Sequence, residues 1–417
     1  DHCPEDQAPP PLPHDARLLV DDDEGFASVV PPIQPSLVKL GRLLLVRVTH
    51  QGSAPSRTLA EARALIFNVP GLQDVLRESS WGQISNVDLT TLDYESDVAW
   101  DDYTSASGSS QRLLAEARFR TFLDANGPFD HYMVLQPGTR SAASAQVGGR
   151  WSRYSGGAIQ WQTMAHELGH NFRLGHAGGF RSSTFNDYAD DALMGYQRTY
   201  REPDFTAVAR FNIGLIPQSE VAELRAGTMA TTLRALNEGP AFDGRHLLVT
   251  VECAGCISKA GRVGGTIYLS FRASDPTNTY GVSDDIDNLN AIDNPNQRLF
   301  MENRIHVHFQ ALNKDTTELW YTMGADESWA VPASGVRIHG CSTNLGSQPE
   351  TTRVGVSTES AQAAVGACRG TLVQPPPPPL SMPPPPSQSP PPPPLSPLPP
   401  PPPPTPPPPS PSPPSSS

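Results

Sequence analysis

Between Glu24 and Thr250 the 417-residue chain contains no cysteine, so no disulfide framework organises its first half. No apolar run approaches the roughly 18 residues a membrane-spanning helix needs. The nearest, Leu43–Val48, is strand-sized, so membrane insertion is not expected. No Asn-x-Ser/Thr sequon occurs anywhere, and N-glycosylation therefore gives no sign of secretion. Basic residues are scarce relative to acidic ones, and the net charge is −13. That balance argues against nucleic acid or an anionic membrane as partner. From Gln374 to Ser417 charged residues, aromatics and glycine are all missing, and most of the chain's 47 prolines are concentrated there. Such a tail cannot bury a core. Without it about 370 residues remain, enough for roughly two domains.

What is present falls into four segments. Residues 1–38 are acidic and proline-punctuated, and read as a leader or pro-segment remnant. Residues 39–225 carry mixed signals. Leu43–Val48 reads as a buried strand, Thr58–Leu76 as helical periodicity broken at Pro70-Gly71, and Gln83–Leu92 as an alternating strand. Asp88–Asp102 reads as an acidic solvated loop, Gln111–Ala125 as one helix with Leu114 inward, His131–Leu135 and Ala143–Val147 as strands, and Ile159–Phe172 as a helix. This order predicts an α/β (α+β) domain with a mixed sheet. Residues 226–373 read as a mostly β domain, with strands over His246–Glu252, Thr266–Arg272, Arg304–Gln310, Leu319–Met323 and Val336–His339. Residues 374–417 read as a disordered polyproline II tail.

The chemistry concentrates in His166-Glu167-Leu168-Gly169-His170 and His176. Two histidines at i, i+4 share one helix face and can reach one Zn²⁺ ion. Glu167 lies about 100° round the helix, where its carboxylate can take a proton from metal-activated water. His176 can join only if the chain turns after the helix, because six residues past His170 is a different face.

This motif resembles the signature of the metzincin zinc peptidases, HExxHxxGxxH followed by a Met-turn. The match implies metal ligands His166, His170 and His176, catalytic Glu167 and Met-turn Met194. The family glycine position holds Arg173, with Gly175 two residues later; the turn falls at one of them, and Asp187 and Asp190 are the replacement ligands. Within metzincins the chain resembles the gametolysin family of green-algal cell-wall lytic peptidases. That resemblance rests also on Ser79-Ser80-Trp81-Gly82, Gly148-Gly149, Asn171, Tyr188, Phe211-Asn-Ile-Gly-Leu215, Tyr268–Arg272 and Asn303–His308. The tail is similar to the hydroxyproline-rich modules of pherophorins. The resemblance implies a secreted zinc endopeptidase of the extracellular matrix or cell wall acting on proline-rich matrix glycoproteins. Ala143–Val147 would be the edge strand that pairs with substrate. The alternative is a weak or inactive homologue serving as a matrix attachment module, a reading that Arg173 favours. A third has a downstream Glu, such as Glu202, as ligand.

Other candidates are plainer. Tyr196 follows Met194 by two and is a candidate oxyanion stabiliser. His306 and His308 share one strand face and could bind metal, but read better as an exposed face. Asp284-Asp285-Ile-Asp287-Asn288 offers oxygen ligands for Ca²⁺ without ordered EF-hand spacing. Cys3 reads as an unpaired terminal cysteine. Cys253, Cys256, Cys341 and Cys368 are the disulfide candidates, with three connectivities open; a zinc knuckle at Cys253-x-x-Cys256 is the lesser reading.

Overall fold

A computed structural model describes residues 40–98, 100, 104–181, 184–186, 192–195, 204–273, 303–345 and 350–370. The first elements are β1 (Arg42–His50), α1 (Leu59–Phe67), α2 (Leu72–Ser79), β2 (Asp88–Ser96), α3 (Ala106–Ala115), α4 (Ala117–Asn126), β3 (His131–Leu135), β4 (Ala142–Ala145), β5 (Trp151–Ser155) and α5 (Trp161–Asn171). The strands form a five-stranded sheet in the order β2-β1-β3-β5-β4. It is parallel throughout except for β4, which runs antiparallel to β5 at the edge. The continuous apolar run of β1 follows from burial on both faces. Leu43 and Leu45 pack with Ile66, Val75, Met164 and Leu168 on one side, and Leu44, Val46 and Val48 with Leu113 and Phe119 on the other. A capping box fixes the start of α1: Thr58 N–H donates to Glu61 Oε2 at 2.7 Å, and Glu61 N–H to Thr58 Oγ1 at 3.2 Å.

Two expectations fail in this region. The segment Asp88–Ser96 is strand β2: the strand expected over Gln83–Leu92 starts later and runs on through Ser96, where a solvated loop was expected. It is an outer strand, so its acids stay in water while its backbone pairs with β1, and Asp93 meets Arg47 at 3.0 Å. The helix expected over Gln111–Ala125 breaks at Glu116, leaving Leu114 39% exposed rather than inward. Glu116 leaves the helix to accept hydrogen bonds from Tyr94 Oη at 2.8 Å and Ser96 Oγ at 2.5 Å.

The chain continues through β6 (Ala177–Arg181), β7 (Thr184–Asn186), α6 (Ala207–Asn212), β8 (Val221–Leu224), β9 (Thr228–Arg234), β10 (Leu248–Ile257), β11 (Val263–Arg272), β12 (Arg304–Ala311), β13 (Thr317–Met323), β14 (Ser328–Ala330), β15 (Arg337–Asn344), β16 (Thr351–Ser357) and α7 (Ala361–Arg369). A seven-stranded sheet, β7-β6-β13-β12-β11-β10-β8, faces a four-stranded sheet, β14-β15-β16-β9. Val249, Ile267, Leu269, Val307 and Phe309 of the first interdigitate with Leu233, Ile338, Val354 and Val356 of the second. Disulfides join Cys253 to Cys256 and Cys341 to Cys368, the latter tying β15 to α7. The class is therefore mixed α/β with sheets of mixed orientation.

The boundary expected at 225/226 is not a boundary in strand pairing. β6, β7 and β8 all precede it, yet β6 pairs parallel with β13 and β8 parallel with β10. The chain separates after Leu372, into units 1–372 and 373–417, one residue from the start expected for the tail. The leader 1–38 and the proline-rich tail lie outside the described residues.

Candidate metal centre

Helix α5 is buried along almost its whole length. It presents His166 and His170 one turn apart, with ring centroids separated by 4.8 Å. The helix then ends in a Schellman turn. Leu174 N–H donates to Gly169 O at 3.0 Å and Arg173 N–H to His170 O at 2.8 Å. Arg173 takes the left-handed position, φ +67°, whereas Gly175 has no positive φ. The turn is thus at Arg173. It delivers His176 to within 5.5 Å of the His166 ring and 4.8 Å of the His170 ring. The ligating atoms of the three imidazoles all lie within 4.8 Å of one another, and among the described residues this is the group of three that could hold a metal ion.

Backbone carbonyls orient two of the rings. His166 Nδ1 faces Leu193 O and His170 Nδ1 faces Leu174 O, each at 2.8 Å. A ring nitrogen facing a carbonyl donates, which leaves Nε2 as the lone-pair donor for a cation. Burial drives the His166 pKa well below its ordinary value, and burial followed by the neighbouring His170 drives His176 down to about 3. Three imidazoles in this arrangement, with burial opposing protonation of His166 and His176, fit a divalent cation of zinc's type.

The surrounding shell is built from close approaches. Asn171 Nδ2 donates to Gln146 O at 3.1 Å and Trp151 O at 3.2 Å, and Gly148 N–H donates to His170 O at 2.8 Å. These bonds tie the helix end to the β4–β5 connection. The Met194 thioether packs against Gly169, where a Cβ would collide with its sulfur. Met194 is buried, and its carbonyl accepts from Ala177 N–H at 2.8 Å. Residue 194 therefore links the helix to the strand that leaves the third histidine.

Glu167 is buried beside the triad, and its Oε2 has no hydrogen-bond partner. Desolvation pushes its pKa up to about 8, with the Arg153 cation opposing. It opens into a cleft of about 120 Å³ with His170, Gly175 and His176, bounded also by Ser144, Ala145 and Val147 and by Asp315 and Thr316. Ser144 and Ala145 belong to β4, the outer strand of the first sheet. Arg153 Nε donates to Ser144 Oγ at 3.0 Å.

Sequence reasoning did not find Asp315, Thr316 or Arg153. The first two come from the turn before β13, far along the chain, and nothing in their local pattern marks them. His306 and His308, expected on an exposed strand face, are 0% and 1% exposed. β12 is an inner strand of its sheet, and their side of it is covered. Asn212 of α6 reaches the next residue on that side, donating to Gln310 Oε1 at 3.3 Å. The cysteine pairing replaces the zinc-knuckle reading. Tyr196, Asp187, Asp190, Glu202, Cys3 and the 284–288 acidic segment lie outside the described residues.

No family model matches the chain, and no curated protein matches it. A solved structure described as a chaperone–substrate complex aligns at 12% identity and a TM-score of 0.25, over 42% of this chain and 33% of that one. A likeness so slight carries no argument about fold or function.

Proposed function

We propose that the chain is a secreted zinc-dependent endopeptidase, of the metzincin kind that its motif resembles. The observation that carries this reading is a buried carboxylate, Glu167, whose Oε2 has no hydrogen-bond partner and which opens into one cleft with two histidines of the triad. Three imidazoles suit Zn²⁺ and leave a coordination position open. A zinc ion held there supplies Lewis acidity toward water and a scissile carbonyl. The chain's own residues do the rest. Glu167 receives the water's proton at a carboxylate oxygen and hands it to the leaving amine, a role that a raised pKa suits near neutral pH. The outer backbone edge of β4 pairs with an extended substrate, holding its carbonyl in the cleft. Met194 gives the centre an apolar floor. By the same resemblance the substrates are proline-rich matrix glycoproteins, and the proline-rich tail holds the enzyme near them at raised effective concentration.

The alternative, an inactive attachment module, drew its support from Arg173. That support is weak, because His176 joins the other two histidines with Arg173 in the turn. Zinc stoichiometry and casein hydrolysis of wild type and Glu167→Gln test the proposal together. The expected result is one zinc in each protein, with hydrolysis down by about 10³-fold in the variant, within the usual range for a lost acid–base group. Loss of zinc along with activity would make Glu167 a ligand. A zinc-loaded wild type that hydrolyses nothing would leave the attachment module standing.

A further inference from the structure

The cleft is closed by a turn from the far sheet, and that turn is held in place by its backbone. Gly175 N–H donates to Asp315 O at 3.3 Å, and Thr317 N–H donates to His176 O at 3.0 Å. Thr317 and Glu318 continue this contact as parallel pairing with Ala177 and Gly178. The approach is tight: a Cβ at residue 175 would lie 2.6 Å from the Asp315 carbonyl carbon and 2.7 Å from Thr316 N. Asp315 therefore sits at a fixed station beside the third histidine. Its side chain is half-buried, and among the described residues it makes neither an ion pair nor a hydrogen bond. Among the described residues, no lysine or arginine lines the cleft.

We propose that Asp315 is a specificity-determining residue, selecting substrates that carry a lysine or arginine side chain beside the scissile bond. This rests on the peptidase reading above. A half-buried carboxylate without a counter-charge attracts a cation and repels a carboxylate, and partial exclusion of water makes that difference larger than on an open surface. A dication at the triad works against any cationic side chain. Asp315 is the opposing charge on the cleft wall, so its contribution appears most cleanly in what is lost when it is neutralised. Water still reaches it, which limits the discrimination to about tenfold.

The test uses zinc-loaded full-length protein and quenched fluorescent decapeptides in which lysine, norleucine or glutamate is scanned through each position. Norleucine keeps the length of lysine without its charge. At one position wild type should show a kcat/KM ratio of lysine to norleucine near tenfold. The ratio should fall to within about twofold in Asp315→Asn, invert in Asp315→Lys, and persist in Asp315→Glu. A wild-type ratio near one at every position overturns the assignment without any variant being needed. A ratio that survives in Asp315→Asn with zinc still bound overturns it as well. Both outcomes leave the peptidase reading intact, whereas failure to cleave any peptide removes both.

Discussion

Replacing Arg173 by glycine probes the most unusual backbone position in the centre. Arg173 holds φ +67° at the end of the Schellman turn, and its side-chain stem lies over Gly148, with Cγ only 2.9 Å from where a Cβ there would be. A non-glycine residue in the left-handed region costs roughly 1–2 kcal/mol. Glycine removes that cost but enlarges the unfolded ensemble, which takes back about 0.4–1 kcal/mol. Loss of the stem over Gly148 takes back a few tenths more. Arg173→Gly should therefore be more stable by about 0.5 kcal/mol. Arg173→Ala keeps the strain and loses the stem, so it should fall at or below wild type. The glycine-minus-alanine difference, about 1 kcal/mol, is the sharper number. Urea midpoints of the three proteins, measured with zinc present and again with a chelator, provide it. An alanine variant equal to or more stable than the glycine variant would show that the strain at the left-handed turn is no larger than the roughly 0.4–1 kcal/mol that glycine loses to the unfolded ensemble, and the argument would fail.

Two other perturbations follow from the same geometry. Gly175→Ala places a Cβ against the Asp315–Thr316 backbone, which cannot rotate away. It should weaken zinc binding by tenfold or more in a chelator competition, and unchanged affinity would show that this close packing does not position His176. His131 is 8% exposed against the edge of the Phe172 ring, and burial lowers its pKa from 6.5 to about 4. The unfolded chain therefore binds a proton that the folded chain refuses. Stability present above pH 6.5 is lost as pH falls toward 4, by about 2 kcal/mol at pH 5. Urea denaturation at pH 7 and pH 5 should show that loss shrinking by this amount in His131→Phe, and an identical pH dependence in both proteins would refute the assignment.

The parts of this molecule that were legible in the sequence are those set by local pattern. The i, i+4 histidines define α5, an unbroken apolar run marks β1 because both of its faces are covered, and alternation finds most of the strands of the second half. What was not legible depends on distant partners. Glu116 breaks a helix only because Tyr94 and Ser96 are there to receive it. The alternation over Gln83–Leu92 reaches only the first half of β2, and its second half reads as a loop because an outer strand can be acidic. His306 and His308 alternate as a half-exposed strand would, yet their side of the sheet is covered. The helix that carries His166 and His170 was legible from their spacing, while the far wall of the cleft, Asp315 and Thr316, depends on a parallel pairing between β6 and β13 that no short window contains.

That pairing also sets a timetable. Translation delivers His166 and His170 on a single helix, but the backbone partners of Gly175 and His176 follow roughly 140 residues later. At about 5–20 residues per second, the interval is on the order of 7–30 seconds. During it the nascent chain has the turn at Arg173 and the Ala177–Met194 hydrogen bond but lacks the Asp315–Thr317 backbone that pins Gly175 and His176. A hydrolytic centre of the proposed kind would stay incomplete on the ribosome until the strands of the far sheet have emerged.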